Sequence, residues 1–185
     1  KVINAELVER YGGTIRVTVT KNLNLEPSIN VNNILNFEHK NGIFEDNLWN
    51  DFKFNIVKTK NDLMQIALDA YNKGERFVGK SCPGRCSTLI NFVGLDNILM
   101  PYIAEQPTSL KLNKYLPGKQ IPIVDDKILF EENPDYVVIF AWHYGKEIAE
   151  DLKKRGLKSK FILPLPDPKL HTPAVPKNGA KHRQR

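Results

Sequence analysis

Phe77–Asn91, read FVGKSCPGRCSTLIN, holds the residues of this chain best suited to chemistry. Phe77-Val78 is a short apolar run that enters a segment containing Gly79, Lys80, Ser81, Pro83, Gly84, Arg85 and Ser87. Thr88-Leu89-Ile90 then reads as the start of a helix. A strand, a glycine-containing loop and a helix N-terminus form a geometry for anions. The first N–H groups of the helix and the positive end of its dipole point at whatever sits there. Lys80 and Arg85 add cations to the same loop. The alternative is a merely structural turn.

Known loop motifs are only partly met. Gly79 and Gly84 have the separation of a P-loop, but Arg85-Cys86 stands where Lys-Ser/Thr is required. Without that lysine on the phosphates and that hydroxyl on the magnesium ion, nucleotide hydrolysis is disfavoured. The dinucleotide fingerprint also fails, because Ser81 occupies its second glycine position. Its companion feature is present: Glu105 falls at the end of the next predicted strand, where an acid can accept from ribose hydroxyls. A nucleotide-type ligand is the reading these residues favour.

Cys82 and Cys86 are the two cysteines of the chain. Four residues apart, they could form half a metal site, but no further cysteine or suitably spaced histidine completes one. We read them as small buried or idle thiols in a reducing, cytoplasmic setting, and expect no metal. Cys82 with His143 could pair as nucleophile and base, yet nothing in the sequence supports it. Trp142 and His143 follow a predicted buried strand and are candidates to touch ligand. The bland alternatives are a core or rim aromatic and a polar rim histidine.

These residues need a scaffold, and the rest of the chain supplies one. Thr14–Thr20 alternates Ile15, Val17 and Val19 with polar partners, the period of a half-exposed strand. Ser28 or Asn30 can cap a helix carrying Val31, Ile34, Leu35 and Phe37 and ending near Gly42. A longer helical pattern runs from about Asn47 to Lys73, closed by Gly74. From Glu75 short apolar runs alternate with helices. Predicted strands cover Arg76–Gly79, Tyr102–Ala104, an edge-like Ile121–Ile123, Tyr136–Ala141 and, last, Phe161–Leu163. Predicted helices cover Ser87–Phe92, Asp125 or Asp126 to Asn133, and Lys146–Arg155.

Alternating strands and helices imply an α/β fold with a parallel sheet, right-handed crossovers and flanking helices. Ligands then sit outside the carboxyl ends of the strands, which selects the Gly79–Ser87 loop, Glu105 and Trp142-His143-Tyr144. We divide the chain into a strand and two helices over residues 1–73, a Rossmann-like domain over 74–168, and a disordered basic tail over 169–185.

The 185 residues carry 27 Lys and Arg against 21 Asp and Glu, a net charge of +6. Most of that excess lies in the tail: Lys169, Lys177, Lys181, Arg183 and Arg185, with no acid among them. Such ends are usually solvated, so nucleic acid is a disfavoured partner. No apolar run approaches the roughly 20 residues of a membrane span.

The motifs in order resemble a known family. GKSCPGRCSTLINFVGL, then KYLPGKQIPI, NPDYVVIFAWHYGKEI and KFILPLP, resemble the C-terminal domain of S-adenosylmethionine-dependent sugar C-methyltransferases. The earlier YGGTIRV resembles the family's HGGSLRV, so the likeness runs from about Gly12 to Pro166. It implies a Rossmann-like domain that helps hold a nucleotide diphosphate sugar, with the Gly79–Thr88 loop at the diphosphate. It also implies an upstream domain that binds S-adenosylmethionine and supplies the base, so no catalytic residue is assigned here. The expected substrate-binding residues are Gly79, Lys80, Ser81, Gly84, Arg85, Ser87, Thr88, Glu105, Trp142 and His143. The chain departs from the family's GYGAxAKG by losing its third and last glycines and by carrying Arg85 for lysine. His143 stands where the family has asparagine, and Tyr11 where it has histidine. The alternative reading is a non-catalytic Rossmann-like module that binds a nucleotide or a protein.

Overall fold

The computed structural model describes residues 1–10 and 13–171, and the expected disorder of the tail beyond 171 lies outside them. The described residues form two compact units that divide between residues 58 and 59.

The first unit opens with β1 (Val2–Val8), which pairs antiparallel with β2 (Thr14–Val19), placing Leu7 opposite Ile15 and Ala5 opposite Val17. The sequence reading lacked β1. Helix α1 (Ile29–Lys40) follows. Its N-cap is Ser28, whose hydroxyl donates to Asn4 Oδ1 at 2.6 Å rather than capping the helix. The alternation in β2 does not mark a half-buried face: all six of its residues are exposed, and α1 buries none of its own. Period two makes a strand; whether a face is covered depends on what packs there. The long helix α2 (Asp46–Asn72) contains the boundary between the units. The sequence places that division later, at 73/74. Gly74, at φ +70°, ends α2 in the left-handed region that glycine adopts at low cost.

In the second unit, Leu63, Ala67 and Ala70 recur at spacings of four and three, so α2 presents one buried stripe. The strands are β3 (Phe77–Lys80), β4 (Ile103–Glu105), β5 (Lys114–Tyr115), β6 (Pro122–Asp125), β7 (Tyr136–Ile139), β8 (Lys160–Leu163) and β9 (Lys169–His171). They form one sheet in the order β5-β6-β4-β3-β7-β8-β9. The five inner strands are parallel; β5 and β9 are antiparallel edges. This is the expected α/β fold with flanking helices, its sheet parallel as expected except at the two edges.

Two details differ from expectation. Ile121–Ile123 is not an edge, because β5 pairs outside β6, with Tyr115 opposite Pro122. Phe161–Leu163 is not the last strand either. Lys169–His171 turns back along β8 as β9, so the ordered chain passes the expected end at 168. Both edge strands are short and largely exposed, without the alternation that would reveal them.

Alternate residues of the central strands feed opposite cores. Phe77, Val138 and Phe140 pack with Cys86, Ile90 and Val93 of α3 (Cys86–Val93) and with the α2 stripe. Val78, Val137 and Ile139 pack with Leu129 of α4 (Lys127–Glu132) and with Ala149 and Leu152 of α5 (Gly145–Lys154). Each such large aliphatic or aromatic side chain, fully buried, contributes roughly 1.5–3 kcal/mol. The result is a three-layer sandwich whose sheet is covered on both faces.

Candidate functional site

The strand order contains a switch point. From β3 the chain passes through α3 to β4 on one side, while β7 lies on the other. The loops after β3 and β7 therefore diverge at the carboxyl ends of these strands, the place where sheets of this kind leave a crevice. The segment between β3 and α3 forms one wall. The 3-10 turn Trp142–Tyr144 after β7 forms the other. Arg85 joins them: its guanidinium carbon lies 5.4 Å from the centroid of the Trp142 ring, a cation–π contact across the crevice. The His143 ring sits 5.3 Å from that of Trp142.

On the α3 side, Ser81 takes φ +66°, a left-handed conformation uncommon for a residue with a side chain. Cys86 N–H donates to the carbonyl of Pro83 at 2.9 Å, and the Ser87 hydroxyl donates to the carbonyl of Gly84 at 3.2 Å. These bonds turn the loop into the helix. Gly84 and Arg85 are exposed, Ser87 is half-buried and Thr88 exposed at the first turn of α3. A Cβ on Gly84 would meet nothing within 4 Å, so the space over it is open.

The loop is held from below by groups far away in sequence. Glu105 Oε2 accepts from Cys82 N–H at 2.9 Å and Oε1 accepts from Gln106 N–H at 3.0 Å. Ser81 N–H donates to the carbonyl of Ala104. The Lys111 ammonium donates to the carbonyl of Cys82. Glu105 is thus where the sequence puts it, at the end of β4, and its carboxylate binds loop backbone. No motif marked Lys111, because it lies in an irregular segment and reaches the loop only through the fold.

The two sulfurs lie 3.1 Å apart, both buried. The hydrogen bond shared with Cys86 holds the Cys82 thiol below its usual range, against the effect of burial; the Lys111 ammonium adds to the lowering. Cys86 is pushed up by that same hydrogen bond and by burial. The thiols are buried as expected, and they contact one another. Among the described residues no group of three or more His, Cys, Asp or Glu comes together as a metal site.

Two expected loop residues face elsewhere. Gly79 belongs to β3, where a Cβ would come within 2.9 Å of both Ile103 Cγ1 and Phe140 Cε2. Core packing alone accounts for a glycine there. Lys80 points to the opposite face of the sheet from Gly79 and is buried, its ammonium 2.8 Å from Asp126 Oδ2. Arg155 reaches the same oxygen at 3.6 Å. Asp126 precedes α4 but does not cap it with its side chain; Asp125 Oδ1 accepts from Lys127 N–H instead.

Over this ion group lies a cleft of about 520 Å³, within the range of small-molecule sites. Ser81, Glu105, Gln106, Glu147, Asp151 and Arg155 are among the residues that line it. Its charged residues are four acids (Glu105, Asp126, Glu147, Asp151) and three bases (Lys80, Lys127, Arg155). That balance suits hydroxyls better than a diphosphate. The crevice at Arg85 has the better electrostatics for an anion. The structure therefore divides the expected residues into an outer group (Gly84, Arg85, Ser87, Thr88, Trp142, His143), a cleft group (Lys80, Ser81, Glu105) and Gly79 in the core.

Residues 9–166 match the family model described as the C-methyltransferase C-terminal domain. The chain is also 26% identical over 175 residues to the C-methyltransferase NovU of Streptomyces niveus, a match covering 92% of this chain and 41% of that protein. It therefore spans less than half the length of the curated relative it matches. Among the described residues no helix is long and apolar enough to cross a membrane.

Proposed function

The chain belongs to the C-methyltransferase C-terminal domain family, and on that premise we propose that it holds a nucleotide diphosphate sugar for methyl transfer at carbon. The diphosphate lies at the N-terminus of α3. The N–H groups of Ser87 and Thr88 have no carbonyl four residues back within that helix, and Arg85 closes over the anion from its place against Trp142. Hydroxyls of the ligand enter the cleft beside Ser81 and Glu105. The observation that carries this reading is the Arg85–Trp142 contact across the switch-point crevice, which sets a cation beside a helix N-terminus.

The loop does not fit the methyl donor. S-adenosylmethionine presents a sulfonium cation, and the crevice presents Arg85 beside the positive end of α3. No step through that group, and no catalytic residue, is assigned to this chain. An upstream domain of the same protein binds the donor and supplies the base. Support comes from the length of the relative and from the uncovered apolar side chains of residues 1–58, among them Leu7, Val17 and Val19. The setting proposed is the cytoplasm, which the two reduced thiols fit.

Titration calorimetry with a panel of nucleoside diphosphate sugars tests the assignment. One member binds the intact protein, and Arg85→Glu weakens it by about ten- to a hundredfold, the scale of a charged hydrogen bond replaced by repulsion. A panel in which nothing binds overturns the reading. Unchanged affinity in Arg85→Glu removes Arg85 from the site.

A further inference from the structure

Neither the family assignment nor the sugar-nucleotide reading involves the thiol pair, whose chemistry is independent of both. Cys82 and Cys86 stand one helical turn apart across the entry to α3, with their sulfurs 3.1 Å from each other. A disulfide needs the sulfurs at about 2.0 Å, so closure asks for an approach of about 1 Å. The backbone on which it would close is already fixed. Cys82 is held at its N–H by Glu105 and at its carbonyl by Lys111, and Cys86 at its N–H by the carbonyl of Pro83. No other cysteine competes, because the sequence has only these two.

We propose that Cys82 and Cys86 form an oxidisable dithiol site that a hydroperoxide converts to an intrachain disulfide across the entry to α3. Their environments differ in the way a two-step oxidation needs. Cys82 retains 5% exposure, next to the exposed Gly84 and Arg85, whereas Cys86 has none. A small peroxide therefore meets Cys82 first. The hydrogen bond shared with Cys86 and the Lys111 ammonium both favour the thiolate at Cys82, the form that reacts.

The Cys82 thiolate attacks one oxygen of the hydroperoxide. An S–O bond forms, the O–O bond breaks, and the departing hydroxide or alkoxide takes a proton as water or alcohol. Cys82 is now a sulfenic acid. The Cys86 sulfur attacks the Cys82 sulfur, the S–S bond forms and the S–O bond breaks, and the leaving hydroxide carries off the Cys86 proton as water. Two thiols are oxidised by two electrons. One molecule of hydrogen peroxide is reduced to two of water.

Closure ties Pro83, Gly84 and Arg85 into a small ring and fixes the segment that carries Arg85. Cys86 thereby acts as the resolving thiol, which protects Cys82 from irreversible over-oxidation.

The experiment treats the intact protein with hydrogen peroxide, unfolds it, alkylates with iodoacetamide and measures intact mass. Untreated protein takes two carbamidomethyl groups. Oxidised protein takes none, is lighter by two hydrogens, and remains one chain. Trypsin, cutting after Lys80, Arg85 and Lys111, releases Ser81–Arg85 joined to Cys86–Lys111, and reductant separates them. Cys82→Ser slows loss of the remaining thiol by about tenfold or more, because Cys86 is fully buried and burial pushes its thiol up. Cys86→Ser leaves a sulfenic acid on Cys82 that dimedone traps. Two alkylatable thiols after treatment, a disulfide between two chains, or Cys82→Ser reacting as fast as the parent would each overturn the proposal.

Discussion

Glu105 Oε2 accepts the backbone N–H of Cys82 at 2.9 Å, tying the carboxyl end of β4 to the loop that follows β3. The two residues are 23 apart in sequence. Their bond makes an acid that the sequence places beside a ribose into a strut of the loop that leads into α3.

From this bond we expect Glu105→Ala to loosen the loop. A hydrogen bond to a charged acceptor is worth about 1.5–3 kcal/mol. Amide exchange at Cys82 accelerates by about tenfold or more, while exchange in β7 stays unchanged. Glu105→Gln keeps an acceptor oxygen and recovers part of the protection. Hydrogen-exchange mass spectrometry on peptides spanning 81–86 reads the difference, and equal protection in parent and Glu105→Ala would sink the strut.

Gly79 provides a test of packing against ligand contact. Its added methyl would press on Ile103 and Phe140 at 2.9 Å, so Gly79→Ala destabilises by about 1–3 kcal/mol. Urea unfolding followed by tryptophan fluorescence checks this. An unchanged midpoint would show that the core gives way there.

The Lys80–Asp126 pair is buried on both sides, with Arg155 nearby. Removing Lys80 leaves buried Asp126 with only the more distant Arg155, so Lys80→Met alone costs up to about 3–5 kcal/mol. The double change Lys80→Met with Asp126→Leu recovers much of that, because no unpaired ion remains buried. Denaturant midpoints of the two single variants and the double variant form the cycle. Additive losses would mean that the pair is not coupled.

Thiol titration follows the shared hydrogen bond. Cys82 lies below its ordinary value of 9.0 and Cys86 above its own. Between the lowered Cys82 value and 9.0 the unfolded chain binds more protons at Cys82 than the folded one, so that contribution to stability grows as pH rises and is lost as pH falls. For Cys86 the sign reverses. Its contribution is complete below 9.0 and is lost as pH rises towards its elevated folded value. Together they place the pair's greatest contribution near 9.0. Thiolate absorbance shows one thiol ionising early in the parent, and Cys86→Ala moves that step upward. A step that stays in place would deny the Cys86 hydrogen bond its role.

Local pattern was enough to place most of the elements. The stripe Leu63, Ala67, Ala70, the unbroken apolar run at Tyr136–Phe140 and the strand-loop-helix around Gly79 are written at spacings of two, three and four. Such spacings report backbone periodicity directly. The alternation of strands with helices, and with it the parallel sheet and the switch-point loops, follows from the same signal. The motifs shared with the C-methyltransferases also stand in the sequence itself. The short edge strands β5 and β9 carry no such signal, being held by pairing with a neighbour rather than by a buried face.

Tertiary structure alone decided which way each functional side chain turns. Gly79 and Lys80 are adjacent in the sequence, yet the pleat sends one into the α3 core and the other to Asp126 on the opposite face. Lys111 and Glu105 reach Cys82 because loop and sheet close on each other, and Arg85 meets Trp142 because β3 and β7 are neighbours. Residue types and order determined that this chain builds an α/β layer with a strand-loop-helix that carries Lys80 and Arg85. The division of that loop between core, ion pair, crevice and thiol pair depends on contacts between residues tens of positions apart, which no local periodicity encodes.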